Sequence, residues 1–116
     1  MKSCVEYHTR RTATHAAKSV LEEEGYEVRV LSRPEKKPGT ITLIAWNRFG
    51  PLFICVRSYR SRYHHCEDIV VLSSLQGSGR YPGSIQYWVR YQGGWIRYAI
   101  CEGGAVRVGS QDDVRL

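Results

Sequence analysis

The densest run of side chains able to do chemistry is Arg57-Ser58-Tyr59-Arg60-Ser61-Arg62-Tyr63, followed at once by His64-His65-Cys66. Arg57, Arg60 and Arg62 carry planar, permanently charged forks that grip a phosphate with two parallel donors. Tyr59 and Tyr63 offer ring faces on which a base can stack. Arg10, Arg11 and Lys18 are candidates to flank the same cleft. Basic residues interleaved with aromatics suit a nucleic-acid groove; the competing reading is a solvated face with tyrosines packed beneath it.

Other constellations are thinner. Cys4 and His8, with His64, His65 and Cys66, have the ligand types of a zinc site, but their spacing matches no structural zinc motif. A cysteine nucleophile would need Cys55 or Cys66 exposed beside a histidine, and Cys55 lies in an apolar run. The acids that could hold a cation are Glu22, Glu23, Glu24 and Glu27, then Glu67 and Asp68. Both groups read first as solvated helix ends, and Asp112 and Asp113 as a solvated tail. The four cysteines, Cys4, Cys55, Cys66 and Cys101, include no CxxC pair. In an intracellular chain they stay reduced, and Cys55 and Cys101 read as buried small residues.

The charge is unevenly placed. Residues 1–66 hold twelve basic and six acidic side chains, and residues 67–116 hold five of each, so the net +6 belongs to the first part. Residues 36–66 contain no acid at all. A one-sided basic stripe suits a polyanion. With 116 residues, 42% hydrophobic and 11% aromatic, the chain is expected to fold as one domain with one core. No apolar run approaches the ~18 residues of a membrane span. The opening MKSCVEYHTRRTATH has no apolar stretch of a secretory signal, so a soluble, cytoplasmic protein is expected.

These residues must be positioned by regular elements. Ala13, Ala16, Ala17, Val20 and Leu21 recur at spacings of three and four, which predicts a helix over 12–24 capped by Gly25, with Thr9, Thr12 or Thr14 at its start. YEVRVL (26–31) alternates as a strand with one wet face. SRPEKKPG (32–39) is a loop. ITLIAW (41–46) and LFICV (52–56) are apolar runs joined by a hairpin-length link, as strands covered on both faces would be. Residues 67–76 open a second helix, with Val70 and Val71 leaving a strand open, and 77–83 form a loop. SIQYWVRY, WIRYAIC and AVRV then predict a β-meander turning at Gly93-Gly94 and Gly103-Gly104. Residues 1–9 and 109–116 are expected as frayed ends. The fold class is a mixed α/β (α+β) sandwich. Trp88, Trp95, Tyr87, Tyr91 and Tyr98 on the meander read as cross-strand packing, or as a dimer surface should one face stay exposed.

A helix ending in Gly25-Tyr26, then YEVRVL, then TLIAW and LFICVRSYR on adjacent strands, and later YWVRYQGGWIRY, resemble the PD-(D/E)XK nuclease superfamily, in particular its restriction-endonuclease-like and archaeal Holliday-junction-resolvase-like members. The likeness covers about residues 10–101. It implies a central mixed β-sheet flanked by helices, with Mg²⁺ held by an Asp and a Glu and a Lys orienting the attacking water. In this chain the Asp position is Thr42, the Glu position Cys55 and the Lys position Arg57, and the helix acid of the resolvases falls near Ala13. A thiol is a poor ligand for hard Mg²⁺, and a guanidinium cannot act as a base. The resemblance therefore implies a degenerate active site: a pseudoenzyme that binds DNA without a metal cofactor. The alternatives are a divergent Mg²⁺-dependent nuclease with ligands moved to Glu67, Asp68 or residues 22–24, and a homodimeric interaction module.

Overall fold

The computed structural model describes residues 2–31, 37–58 and 65–108, without the side chains of residues 2–12. Its elements run α1 (Lys2–Glu23), β1 (Glu27–Val30), β2 (Leu43–Asn47), β3 (Gly50–Ser58), α2 (His65–Ser78), β4 (Ser84–Tyr91), β5 (Gly94–Cys101) and β6 (Gly104–Val108). The six strands form one sheet in chain order. Every neighbouring pair is antiparallel except β3 and β4, which run parallel because α2 carries the chain back across the sheet. This is the mixed α/β fold with a C-terminal meander that the element order implies. Among the described residues no helix is long and apolar enough to cross a membrane.

No glycine or proline interrupts residues 2–23, so α1 runs back to Lys2. Thr9, Thr12 and Thr14 therefore lie inside the helix and not at its cap, and residues 2–9, expected as a loose end, are helical. Ala13, Ala17 and Leu21, four apart on one face, are buried. Gly25, at a φ of 96°, turns the chain out of the helix. Its amide donates to the Glu22 carbonyl and that of Tyr26 to the Leu21 carbonyl, which satisfies the last turn.

The strand period of two divides the core. Leu52, Ile54 and Val56 of β3, with Leu43, Ala45 and Trp88, face α1; Phe53 and Cys55, with Ile85, Tyr87 and Val89, face α2 through Leu72. α1 packs over β1 to β3, and α2 over β4 to β6 on the other face. Helix α2 is longer than expected at both ends and takes in Gly77, while Val70 and Val71 lie exposed on its outer side. The strand alternative for 67–76 is thereby corrected.

Two local expectations are also corrected. The β4–β5 turn centres on Gln92 and Gly93, both at positive φ, with Tyr91 paired to Gly94. Cys101 is exposed at the end of β5, because the alternation that buries Ile100 turns its neighbour outward.

The sheet has two unlike ends. At the upper end β1, β3, β4 and β6 finish and α2 begins. At the lower end α1 finishes, β1 and β4 begin, and the β2–β3 and β5–β6 turns sit.

Candidate functional site

The three positions that the nuclease likeness singles out lie together at the upper half of β2 and β3, and each is sealed into the fold. Thr42, just before β2, is buried, its hydroxyl donating to the Ile54 carbonyl and accepting from the Val56 amide. Its oxygen is thus spent on backbone either side of Cys55. Cys55 is wholly buried, and burial first, then the nearby Asp68 carboxylate, raise its thiol from the ordinary 9.0 to about 12 against the opposing pull of Arg57. At neutral pH it is a protonated, apolar side chain.

Arg57 is only 2% exposed. Its Nε donates to Asp68 Oδ2 and its Nη2 to Asp68 Oδ1, both at 3.1 Å, and Nη2 also donates to the Lys37 carbonyl at 2.8 Å. The expectation of Arg57 as a phosphate contact is corrected: its fork is committed inward.

Asp68 is the residue that sequence reasoning misplaced. It was expected at a solvated helix end, beside Glu67. Glu67 is exposed, but Asp68 is 0% exposed in the first turn of α2. Besides Arg57 it accepts from the Gly39 amide at 2.8 Å and from the Tyr87 hydroxyl at 2.8 Å. Four donors therefore occupy the four lone-pair sites of one carboxylate. With its proton committed to Asp68, the Tyr87 oxygen accepts from Nδ1 of His65. Burial, and then the Asp68 charge, push the Tyr87 hydroxyl well above its usual range. Gly39 is fixed by the same centre: at a φ of 70°, a Cβ there would lie 2.3 Å from Val71. The signal was present in the spacing, since Asp68 stands four residues before Leu72 and so shares its buried face.

This set does not fit Mg²⁺. A cation would have to displace a guanidinium from Asp68 and take a spent hydroxyl and a neutral thiol as its remaining ligands. Among the described residues no group of three or more His, Cys, Asp and Glu is placed to hold a metal. Of the relocated-ligand candidates, Asp68 alone reaches this centre, already saturated; Glu22, Glu23, Glu24 and Glu27 are exposed at the lower end, where Glu24 pairs with Arg97 at 2.8 Å.

The remaining predicted contacts are distributed as follows. Lys18 pairs with Glu22 along α1 at 3.6 Å, on the face of the sheet opposite Arg57, so the two do not flank one cleft. Arg10 and Arg11 lie in the first half of α1, which points to the upper end. Tyr59, Arg60 and Arg62, with Tyr63 and His64, lie outside the described residues, but Ser58 and His65 on either side of them both stand at the upper end. Trp88 and Trp95 pack edge to face, as cross-strand packing requires.

The thiols make a direct check of this burial. Cys66 and Cys101, both exposed, are expected to alkylate in the native protein at about pH 8, whereas Cys55 reacts only on unfolding. Mass spectrometry reads this, and labelling of Cys55 as fast as Cys101 would contradict it. Because its folded value is raised, Cys55 contributes stability that is present below pH 9.0 and lost as the pH climbs towards about 12.

No family model matches this chain, and no curated protein does either.

Proposed function

We propose that the protein is a DNA-binding module that grips the phosphate backbone at its upper end and does not cut it. The observation that carries this reading is the acid-free basic stretch 36–66, whose described flanks Ser58 and His65 meet at the upper end. The exposed acids Glu22, Glu23, Glu24, Glu27 and Glu102 lie at the lower end with exposed Arg48 and Arg80, and Glu67 is the exposed acid at the start of α2. The upper end holds exposed Lys37, half-buried Arg90 and Arg107, and the chain positions that lead into and out of the acid-free stretch containing Arg60 and Arg62. It is also the carboxyl end of the parallel pair β3 and β4, where open α/β sheets receive ligands. The non-cutting part of the reading is supported by the positions that the resemblance singles out: Thr42 and Cys55, where it implies metal ligands, and Arg57, where it implies the lysine, are all buried and engaged.

The reading is tested by changing Arg60 and Arg62 together to alanine. Each phosphate contact contributes about 0.9 to the slope of log affinity against log salt on duplex DNA, so the pair should lower that slope by about 2. An unchanged slope and affinity would remove the basic segment from the interface.

A further inference from the structure

A cavity of about 290 Å³ opens between the first turns of α2 and strands β4 to β6, lined by His65, Ile69, Tyr87, Ile96, Tyr98 and Ala105 among others. Its size is at the low end for small-molecule sites and suits one flat ring system. The walls are apolar except for two tyrosines and a histidine, and the rings are held in place. Tyr87 is anchored through its hydroxyl by Asp68 and His65. Tyr98 lies 6.2 Å from it with the ring planes 32° apart. His65 meets Tyr87 edge-on. Arg107 is half-buried on the same face, directly across from Tyr98 in the β5–β6 ladder.

We infer that this cavity receives a single nucleobase displaced from the DNA stack. The inference rests on the DNA-binding reading and adds a substrate class to it: DNA carrying an unpaired or mismatched base. A π-face is common to all four bases, so the partly exposed Tyr98 ring, backed by the buried Tyr87, accepts any of them. Arg107 provides a cation for the adjoining phosphate. Extruding a paired base costs a few kcal/mol of stacking and pairing, and an already unpaired base costs least, so discrimination follows from the cavity without any reading of base edges. The Arg57–Asp68–Tyr87–His65 chain then acquires a use, as the brace that keeps the cavity floor from rotating.

The test uses the full chain and two labelled duplexes, identical except for one additional unpaired adenine in the second, followed by fluorescence anisotropy. The bulged duplex is expected to bind on the order of 10-fold tighter than the perfect one. Ala105→Leu, which fills the cavity from the edge strand, should bring the bulged duplex to the affinity of the perfect one and leave the latter within about two-fold. Tyr98→Ala, which removes one ring and adds no bulk, should do the same and serves if the first variant fails to fold. Equal binding of the two duplexes, unmoved by either variant, would overturn the base pocket and leave the DNA-binding reading standing. No binding to either duplex would overturn both.

Discussion

Asp68→Ala is expected to lose about 3–5 kcal/mol of unfolding free energy, a large fraction of what a domain of this size possesses. The cause is what remains after the carboxylate has gone. Arg57 is 2% exposed and permanently charged, and its Nε and Nη2 would both lose the carboxylate, with Nη2 keeping the neutral Lys37 carbonyl. The Gly39 amide and Tyr87 hydroxyl would lose theirs too. Replacing the pair together, as Arg57→Leu with Asp68→Leu, should cost less than the single change, since no unpaired charge is then left inside. Urea denaturation of the parent and the two variants gives the comparison. An Asp68→Ala protein within about 1 kcal/mol of the parent would show that Arg57 does not depend on this partner.

Trp88→Ala should rank with it, at about 3–5 kcal/mol. Trp88 is wholly buried in the core under α1. Its ring lies 4.0 Å beneath the Arg97 guanidinium and edge to face with Trp95 at 5.3 Å, and its Nε1 donates to Gln86 at 2.8 Å. Truncation removes the largest side chain of that core and leaves a void that α1 and three strands cannot close. Trp88→Phe should cost less, because a ring remains for Arg97. Glu24→Ala, which removes only the half-exposed ion pair to Arg97, should stay within about 1 kcal/mol. Equal losses from Trp88→Ala and Glu24→Ala would mean that the surface pair, and not the buried ring, holds this region.

Much of the fold could be read from the sequence because its signals are local. The four-residue spacing of Ala13, Ala17 and Leu21, the glycine after Glu24, and the paired apolar runs around Asn47 and Gly50 each place an element with no tertiary information. The start of α1 escaped because a missing breaker leaves no mark in the sequence. The parallel β3–β4 pair was not specified either, since it depends on which way α2 returns the chain.

The candidate site was half legible. Thr42, Cys55 and Arg57 were singled out by the family likeness, and the structure brings them together. Their burial was not, because Arg57 in a basic run looks like a surface residue until its partner is known. That partner, Asp68, lies eleven positions further on across a helix start, and only tertiary packing joins the two. Lys18 was grouped with Arg57 in one cleft for a related reason: charge along a chain says nothing about which face of a sheet each residue reaches.

The buried ion pair also gives the non-cutting reading a physical basis. Beside Thr42 and Cys55, where the resemblance implies metal ligands, the Arg57 guanidinium stands with Asp68 as its counter-ion, so the carboxylate's charge is balanced without a metal. Backbone phosphates would then be held at the rim, by the basic residues of the upper end, and not drawn into the centre.

The most direct measurement is a fluorescence-anisotropy titration with duplex and four-way-junction DNA at about 50 and about 200 mM salt, with and without Mg²⁺, the same samples then being run on a denaturing gel. Binding that weakens on the order of 10-fold or more at the higher salt, is indifferent to Mg²⁺ and leaves every strand intact is the expected result. Strands cut in the presence of Mg²⁺, or no binding to either DNA at the lower salt, would contradict it.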